Sequence, residues 1–300
     1  MQINQIINDL TLILEERDSF FPKRDPENTK KCAQKFLEFY DGLKKIDFNF
    51  KIDQQLVETA LQFSTSQIII CGSMKSGTTL LLELLDNHEN IVALPGDSGL
   101  VSLYQNKSNF SFKDWEFHWL KRFINPRGQA PFWLLGKDFK TYLNFCYYLN
   151  YFYNNLSDSF KKFTAVPLAY FCANPNRPTS PKFWVEKNPN NEFYLNQIKQ
   201  LYPNAKFINI IRNPLDNCAA LKKLGQFTNV NLNIEKIKSN YLTTLNNLKD
   251  HNFHVICYEN LEQEMKKISD IFEIEFQESL FIPTSNGLKT KPNSMFSKRF

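Results

Sequence analysis

Gln67-Ile68-Ile69-Ile70-Cys71-Gly72-Ser73-Met74-Lys75-Ser76-Gly77-Thr78-Thr79-Leu80-Leu81-Leu82-Glu83-Leu84-Leu85 is the stretch that decides the fold. It opens with an apolar β-rich run from Gln67 to Cys71, passes through a Gly/Ser/Lys turn, and continues as a helical segment from Thr78 to Leu85. Gly72 and Gly77 have the spacing of a phosphate loop, set between a buried strand and a helix. Such a turn aims backbone N–H groups and a helix dipole at an anion. In an ATP or GTP site a lysine follows the second glycine and reaches the β and γ phosphates. Here Thr78 holds that position and the lysine has moved inside the turn, to Lys75. An amine placed there approaches a bridging oxygen rather than a terminal phosphoryl group, which suits a donor without a triphosphate. Nor does the sequence offer an acidic strand end of the kind that holds magnesium.

Outward from this stretch, short β-rich runs alternate with helical segments: Ile91 to Leu94, Phe183 to Val185, Lys206 to Ile211 and Phe253 to Cys257. That alternation predicts an α/β fold with a parallel sheet covered on both faces. Each run ends in a polar cluster: the turn at Gly72 to Thr79, then Gly96-Asp97-Ser98, Glu186-Lys187-Asn188, Arg212-Asn213 and Tyr258-Glu259-Asn260. Ligands of open parallel sheets bind beyond the carboxyl ends of the strands, so these clusters are expected to converge on one crevice. Residues 1–63 carry apolar positions at helical spacing, among them Ile3, Ile6, Ile7 and Leu10, and read as a helical lead-in. Between Leu103 and Lys182 the chain is dense in Trp, Phe, Tyr and Asn, which reads as a helical insertion. Its aromatics suit a core, or equally a wall that stacks sugar rings or phenols. The tail from Pro283 to Phe300 reads as loop. With no internal repeat and no linker, residues 1–300 are taken as a single domain.

The bulk numbers narrow the partners. A chain of 300 residues with 42% hydrophobic and 15% aromatic residues can bury a sizeable core. Its net charge of +5 is spread along the chain without a dense Lys/Arg stripe, which argues against nucleic acid and for a smaller anionic ligand. Cys32, Cys71, Cys146, Cys172, Cys218 and Cys257 form no Cys-x-x-Cys pair and read as reduced core thiols. His251, His254 and Cys257 would not share one face of a strand, so no metal site is expected. The amino terminus lacks the basic cluster and apolar stretch of a secretory signal, and no run approaches a membrane span, so a cytoplasmic location is expected.

On these residues the sequence resembles the sulfotransferase family. Gly72 to Leu81 resembles that family's 5'-phosphosulfate loop, in which Lys or Arg precedes Ser-Gly-Thr-Thr. Other segments follow in the family's order: Asn87-His88-Glu89-Asn90, Pro95-Gly96-Asp97-Ser98, Trp184-Val185-Glu186-Lys187-Asn188-Pro189, Tyr202 to Ile208 leading into Arg212-Asn213-Pro214, and Tyr258-Glu259-Asn260-Leu261. The resemblance spans residues 67 to 295 and is nearest the branch acting on carbohydrates and tyrosine residues, which uses a carboxylate base. It implies a three-layer, P-loop-like fold and the donor 3'-phosphoadenosine 5'-phosphosulfate, with 3'-phosphoadenosine 5'-phosphate as product. It implies, too, a small-molecule, carbohydrate or peptide acceptor bound at the insertion 103–182.

Sulfuryl transfer passes through a loose transition state with charge building on the leaving phosphate's bridging oxygen, so positioned cations supply much of the rate. Lys75 is the candidate for that task, with Ser76, Gly77, Thr78 and Thr79 holding the 5'-phosphate. Asp97 is the candidate base that takes the acceptor's proton, one methylene shorter than the family's glutamate; His118 is the alternative. Lys187 is placed to neutralise sulfuryl oxygens. The resemblance assigns Arg212 to the 3'-phosphate, Tyr258 to the nucleotide, and Asn293-Ser294 to a loop covering the donor. The family's second 3'-phosphate ligand, a serine, is replaced by Ala220, with Lys222 and Lys223 nearby. Two other readings compete: a P-loop kinase or hydrolase, and a non-catalytic module that binds a nucleotide.

Overall fold

The computed structural model describes residues 50–98, 139–156, 159–223, 230–285 and 287–289. The chain divides into two compact units, Met1–Leu61 with Tyr104–Pro175 and Gln62–Leu103 with Asn176–Phe300.

The second unit holds a parallel sheet of five strands in the order β2-β3-β1-β4-β5. These are β1 (Gln67–Cys71), β2 (Ile91–Ala93), β3 (Phe183–Lys187), β4 (Lys206–Ile211) and β5 (Phe253–Cys257). Every residue of β1 is buried, as its Ile-rich run requires of a central parallel strand. It pairs with β3 on one side, Ile70 opposite Lys187, and with β4 on the other, Ile70 opposite Ile208. The connection after β1 runs to β2 on one side of the sheet and that after the adjacent β4 runs to β5 on the other, which opens a crevice at the carboxyl edge. Because all neighbouring pairs are parallel, the five polar clusters predicted at strand ends share that edge.

Helix α2 (Thr78–Leu85) buries Leu80, Leu81, Leu82, Leu84 and Leu85. They pack with Ile68 and Ile70 of β1 and with Val185, Ile208, Ile210 and Ile256 of neighbouring strands. The unit also contains α5 (Leu195–Leu201), α6 (Pro214–Lys223), α7 (Val230–Asn247) and α8 (Leu261–Phe272). In α8 the apolar residues Leu261, Met265, Ile268 and Phe272 recur at helical spacing and are all buried, so this helix is held by one apolar stripe.

In the first unit, α1 (Gln54–Gln62) starts at Asp53, whose Oδ1 accepts the N–H groups of Gln55 and Leu56 at 3.0 and 3.2 Å and caps the first turn. Helices α3 (Phe139–Asn155) and α4 (Ser159–Ala173) lie within the segment expected to be a helical insertion. Phe145, Tyr148, Phe152, Tyr170 and Phe171 are buried, so these aromatics serve as core. Phe50 stacks on Tyr147 at 4.7 Å.

The structure alters several expectations. The second strand stops at Ala93, and the third runs on to Lys187. The tail expected as loop contains a two-residue hairpin, β6 (Thr284–Ser285) with β7 (Leu288–Lys289). Its strands are too short for a hydrophobic period to reveal. Cys71, Cys146 and Cys172 are buried free thiols, but Cys218 and Cys257 are only half-buried. No described helix is long and apolar enough to cross a membrane.

Candidate functional site

The turn after β1 is built by three left-handed residues. Gly72 has φ 136 and Gly77 φ 112, and Lys75, which carries a Cβ, has φ 70. The N–H of Ser76 donates to the carbonyl of Ser73 at 3.0 Å, closing a turn in which Lys75 occupies the position that usually demands glycine or asparagine. A Cβ on Gly72 would lie 2.5 Å from the carbonyl oxygen of Ile210, so glycine is required where the loop leaves the sheet. Gly77 caps α2 without any side-chain hydrogen bond, so the first N–H groups of that helix are left to be met by something else. Lys75 is exposed, and its amine pairs with no carboxylate among the described residues.

Arg212, at the end of β4, comes to the same loop. Its Nη1 donates to the carbonyl of Lys75 at 3.2 Å, and its guanidinium lies 4.6 Å over the ring of Tyr258, a cation–π arrangement. Its Nε is buried with no partner among the described residues. The Cδ2–Cε2 edge of the Tyr258 ring meets Gly77, where an added Cβ would collide with it. Tyr258 is thus wedged between the turn and Arg212. The carbonyl of Arg212 accepts the hydroxyl of Tyr241, and the next N–H, of Asn213, donates to Glu259 Oε1 at 2.7 Å. Ala220 is half-exposed on α6, and Lys222 and Lys223 at its end are exposed.

On the opposite side, β3 delivers Lys187. Its Nζ donates to Thr79 Oγ1 at 3.0 Å and pairs with Asp97. The lysine side chain is 3% exposed and the aspartate 51%, so a buried amine presents a carboxylate that stays open to solvent. One residue earlier, Glu186 accepts the hydroxyl of Ser98 and the Nδ2 of Asn191 at 2.9 Å. Strand alternation thus sends Glu186 inward as a strut and Lys187 to the crevice.

Most of the residues singled out in the sequence therefore gather: Lys75, Gly77, Thr78 and Thr79 on the turn and α2, Arg212 and Tyr258 on one side, Lys187 and Asp97 on the other. Ser76 is placed differently. Its hydroxyl is buried without a partner among the described residues, and its N–H is spent on Ser73. In this conformation Ser76 presents neither donor to the crevice. Asn293, Ser294 and His118 lie outside the described residues.

The sequence reading missed the groups under the loop. Glu192 accepts the N–H of Gly72 at 3.0 Å, and Asn217 Nδ2 donates to Ser73 Oγ at 2.6 Å. Burial, with the charges of Glu192 and Glu186, pushes the Cys71 thiol well above its ordinary range, so the cysteine beside the loop is held neutral and is no nucleophile.

A family model described as "Sulfotransferase family" matches residues 67–278. Among solved structures, the sulfotransferase domain of the Synechococcus PCC 7002 olefin synthase is similar at a TM-score of 0.50 and 17% identity, over 74% of this chain and 78% of that one. Sulfotransferase STF9 from Mycobacterium avium matches at a TM-score of 0.42 and 13% identity, over 85% of this chain and 75% of that one. No curated protein matches the chain by sequence. At 17% identity, the likeness to the olefin synthase domain speaks to the fold.

Proposed function

The chain belongs to the sulfotransferase family, and from that premise we propose that it moves a sulfuryl group from 3'-phosphoadenosine 5'-phosphosulfate to a hydroxyl or amine, with a carbohydrate among the acceptor classes. The observation that carries this reading is the 3.2 Å contact between Arg212 Nη1 and the carbonyl of Lys75. It brings a strand-end cation and an amine-bearing anion turn together, as a nucleotide with phosphates at both 5' and 3' positions requires. The site fits such a donor on two further counts. The N-terminus of α2 has no side-chain cap, and the buried Nε of Arg212 is without a partner among the described residues.

The donor supplies a sulfuryl group already activated by its link to phosphate. The N–H groups of Thr78 and Thr79, with the dipole of α2 behind them, are assigned to the 5'-phosphate. Lys75 is assigned to the charge that grows on the leaving oxygen, where a fixed cation acts most strongly. Arg212 takes the 3'-phosphate, and Tyr258 braces Arg212 against the loop and is assigned to the nucleotide. Lys187 holds Thr79 and Asp97 together, and it contributes positive charge beside the transferred group. Asp97 is the base that receives the acceptor's proton. Its ion pair with Lys187 through Oδ1 fixes the carboxylate and leaves Oδ2 without a partner among the described residues. The acceptor is assigned to the 103–182 segment, and a cytoplasmic location suits the free thiols.

Calorimetric titration with 3'-phosphoadenosine 5'-phosphate in the absence of metal, against ATP with magnesium, tests this reading. Tight binding of the bisphosphate and none of ATP is expected. Magnesium-dependent ATP binding, with no response to the bisphosphate, would replace it with a kinase or hydrolase.

A further inference from the structure

Beneath the loop lies a carboxylate to which the donor reading gives no task. Glu192 is 1% exposed and sits in the short 3-10 turn Asn191–Tyr194 after β3. Its Oε2 accepts the N–H of Gly72 at 3.0 Å, and its Oε1 accepts Asn240 Nδ2 of α7 at 2.5 Å. Its own carbonyl accepts Asn247 Nδ2 at 2.8 Å. The same turn grips Gly72 a second time, because the N–H of Asn190 donates to the Gly72 carbonyl at 3.0 Å. Asn190 adopts φ 73 to do so, and its Oδ1 is held by Asn240 Nδ2 at 2.9 Å. Both backbone polar groups of the loop's first residue are therefore tied to one turn, and that turn is tied to α7.

A carboxylate here carries a cost. Burial pushes the Glu192 carboxyl up, opposed by hydrogen bonds from the backbone, Gly72 and Asn240, and a negative charge behind an anion site works against the anion. What it provides is two acceptors facing two donors. Glutamine has one acceptor oxygen and an NH2 group, so it would set a donor against either the Gly72 N–H or the Asn240 amide. Arg212 touches the loop through the Lys75 carbonyl, but its own backbone is anchored by other side chains: the Tyr241 hydroxyl holds its carbonyl, and Glu259 holds the following N–H. Changes at Glu192 thus act first on the 5' end of the crevice and less on the 3' end.

We infer that Glu192 is a positioning residue for the 5'-phosphate: it fixes Gly72, and with it the loop, and through Asn240 it makes α7 part of the loop's footing. The inference rests on the donor reading above. Its test is calorimetric titration of Glu192→Gln with 3'-phosphoadenosine 5'-phosphate and with adenosine 3'-phosphate, which lacks the 5' group. The bisphosphate is expected to bind roughly tenfold more weakly, as one mismatched buried hydrogen bond implies, while adenosine 3'-phosphate loses clearly less. The double variant Glu192→Gln/Asn240→Asp puts an acceptor on α7 opposite the new NH2 group and opposite Asn190, whose side-chain amide turns over to offer its NH2 in place of Oδ1, and it should recover most of the loss. If Glu192→Gln alone does not fold, the double variant carries the test, and it should bind the bisphosphate nearly as tightly as the unaltered protein. Equal weakening of both nucleotides, no weakening, or no recovery in the double variant overturns the inference. An unaltered protein that binds neither nucleotide overturns the donor reading itself, and the role of Glu192 with it.

Discussion

Replacing Lys75 by glycine and by alanine separates what its side chain does from what its backbone endures. Both variants remove the amine, and both should lose transfer by roughly two to three decades, the usual cost of removing one preorganised charge-stabilising group. Their stabilities should differ in an unusual direction. Lys75 has φ 70, and a residue with a Cβ in that region carries about 1–2 kcal/mol of strain. Alanine keeps that strain and glycine relieves it. Against the relief stands glycine's greater backbone freedom when unfolded, about 0.5–1 kcal/mol. The glycine variant should therefore exceed the alanine variant by roughly 0.5–1 kcal/mol, whereas at an ordinary helix or strand position the order is reversed by about the same amount. Urea unfolding resolves this as a shift in midpoint at constant slope. In heat the difference is about 1–4 °C. An alanine variant as stable as the glycine one would refute the strained turn. Undiminished transfer in either would refute the role of the amine.

Asp97→Asn should lower the turnover rate by roughly two decades or more while leaving affinity for 3'-phosphoadenosine 5'-phosphate in place, because a general base acts in the transition state; an unchanged turnover would move the base to another group. Asp86, at the end of α2, accepts Thr284 Oγ1 at 2.8 Å and the Gly287 N–H at 2.9 Å, yet burial pushes its carboxyl above the ordinary 3.8. A raised folded pKa means the stability of the protonated form is fully present below 3.8 and is lost as pH rises through the folded value. Asp86→Asn keeps an acceptor oxygen and removes the titration, so its stability relative to the unaltered protein should grow as pH rises from 3.8, as followed by urea midpoints across the acid range. A difference that does not vary with pH would contradict this.

The carboxyl-edge site was legible because each strand is an apolar run cut off by a polar cluster, and parallel pairing leaves such clusters on one edge. Lys75 could be singled out by position alone, since a lysine inside the turn is a local fact of sequence. Glu192 could not. Asn188-Pro189-Asn190-Asn191-Glu192 reads as a polar turn, and its carboxylate is buried only because Asn240 of α7, remote in sequence, comes to meet it. The placement of Ser76 was hidden for a related reason. A serine in a phosphate turn suggests a hydroxyl aimed at the ligand, but in the turn closed by the Ser76 N–H on the Ser73 carbonyl that hydroxyl is buried. The wedge of Tyr258 between Gly77 and Arg212 joins three residues from separate strand ends, and no periodicity foretells which ring fills which gap.

The most direct test of the account is a crystal structure of the complex with 3'-phosphoadenosine 5'-phosphate. The 5'-phosphate should lie in the turn from Lys75 to Thr79 at the N-terminus of α2, and the 3'-phosphate should lie against the guanidinium of Arg212. A nucleotide bound away from the turn, or one whose two phosphates leave either Lys75 or Arg212 untouched, would contradict it.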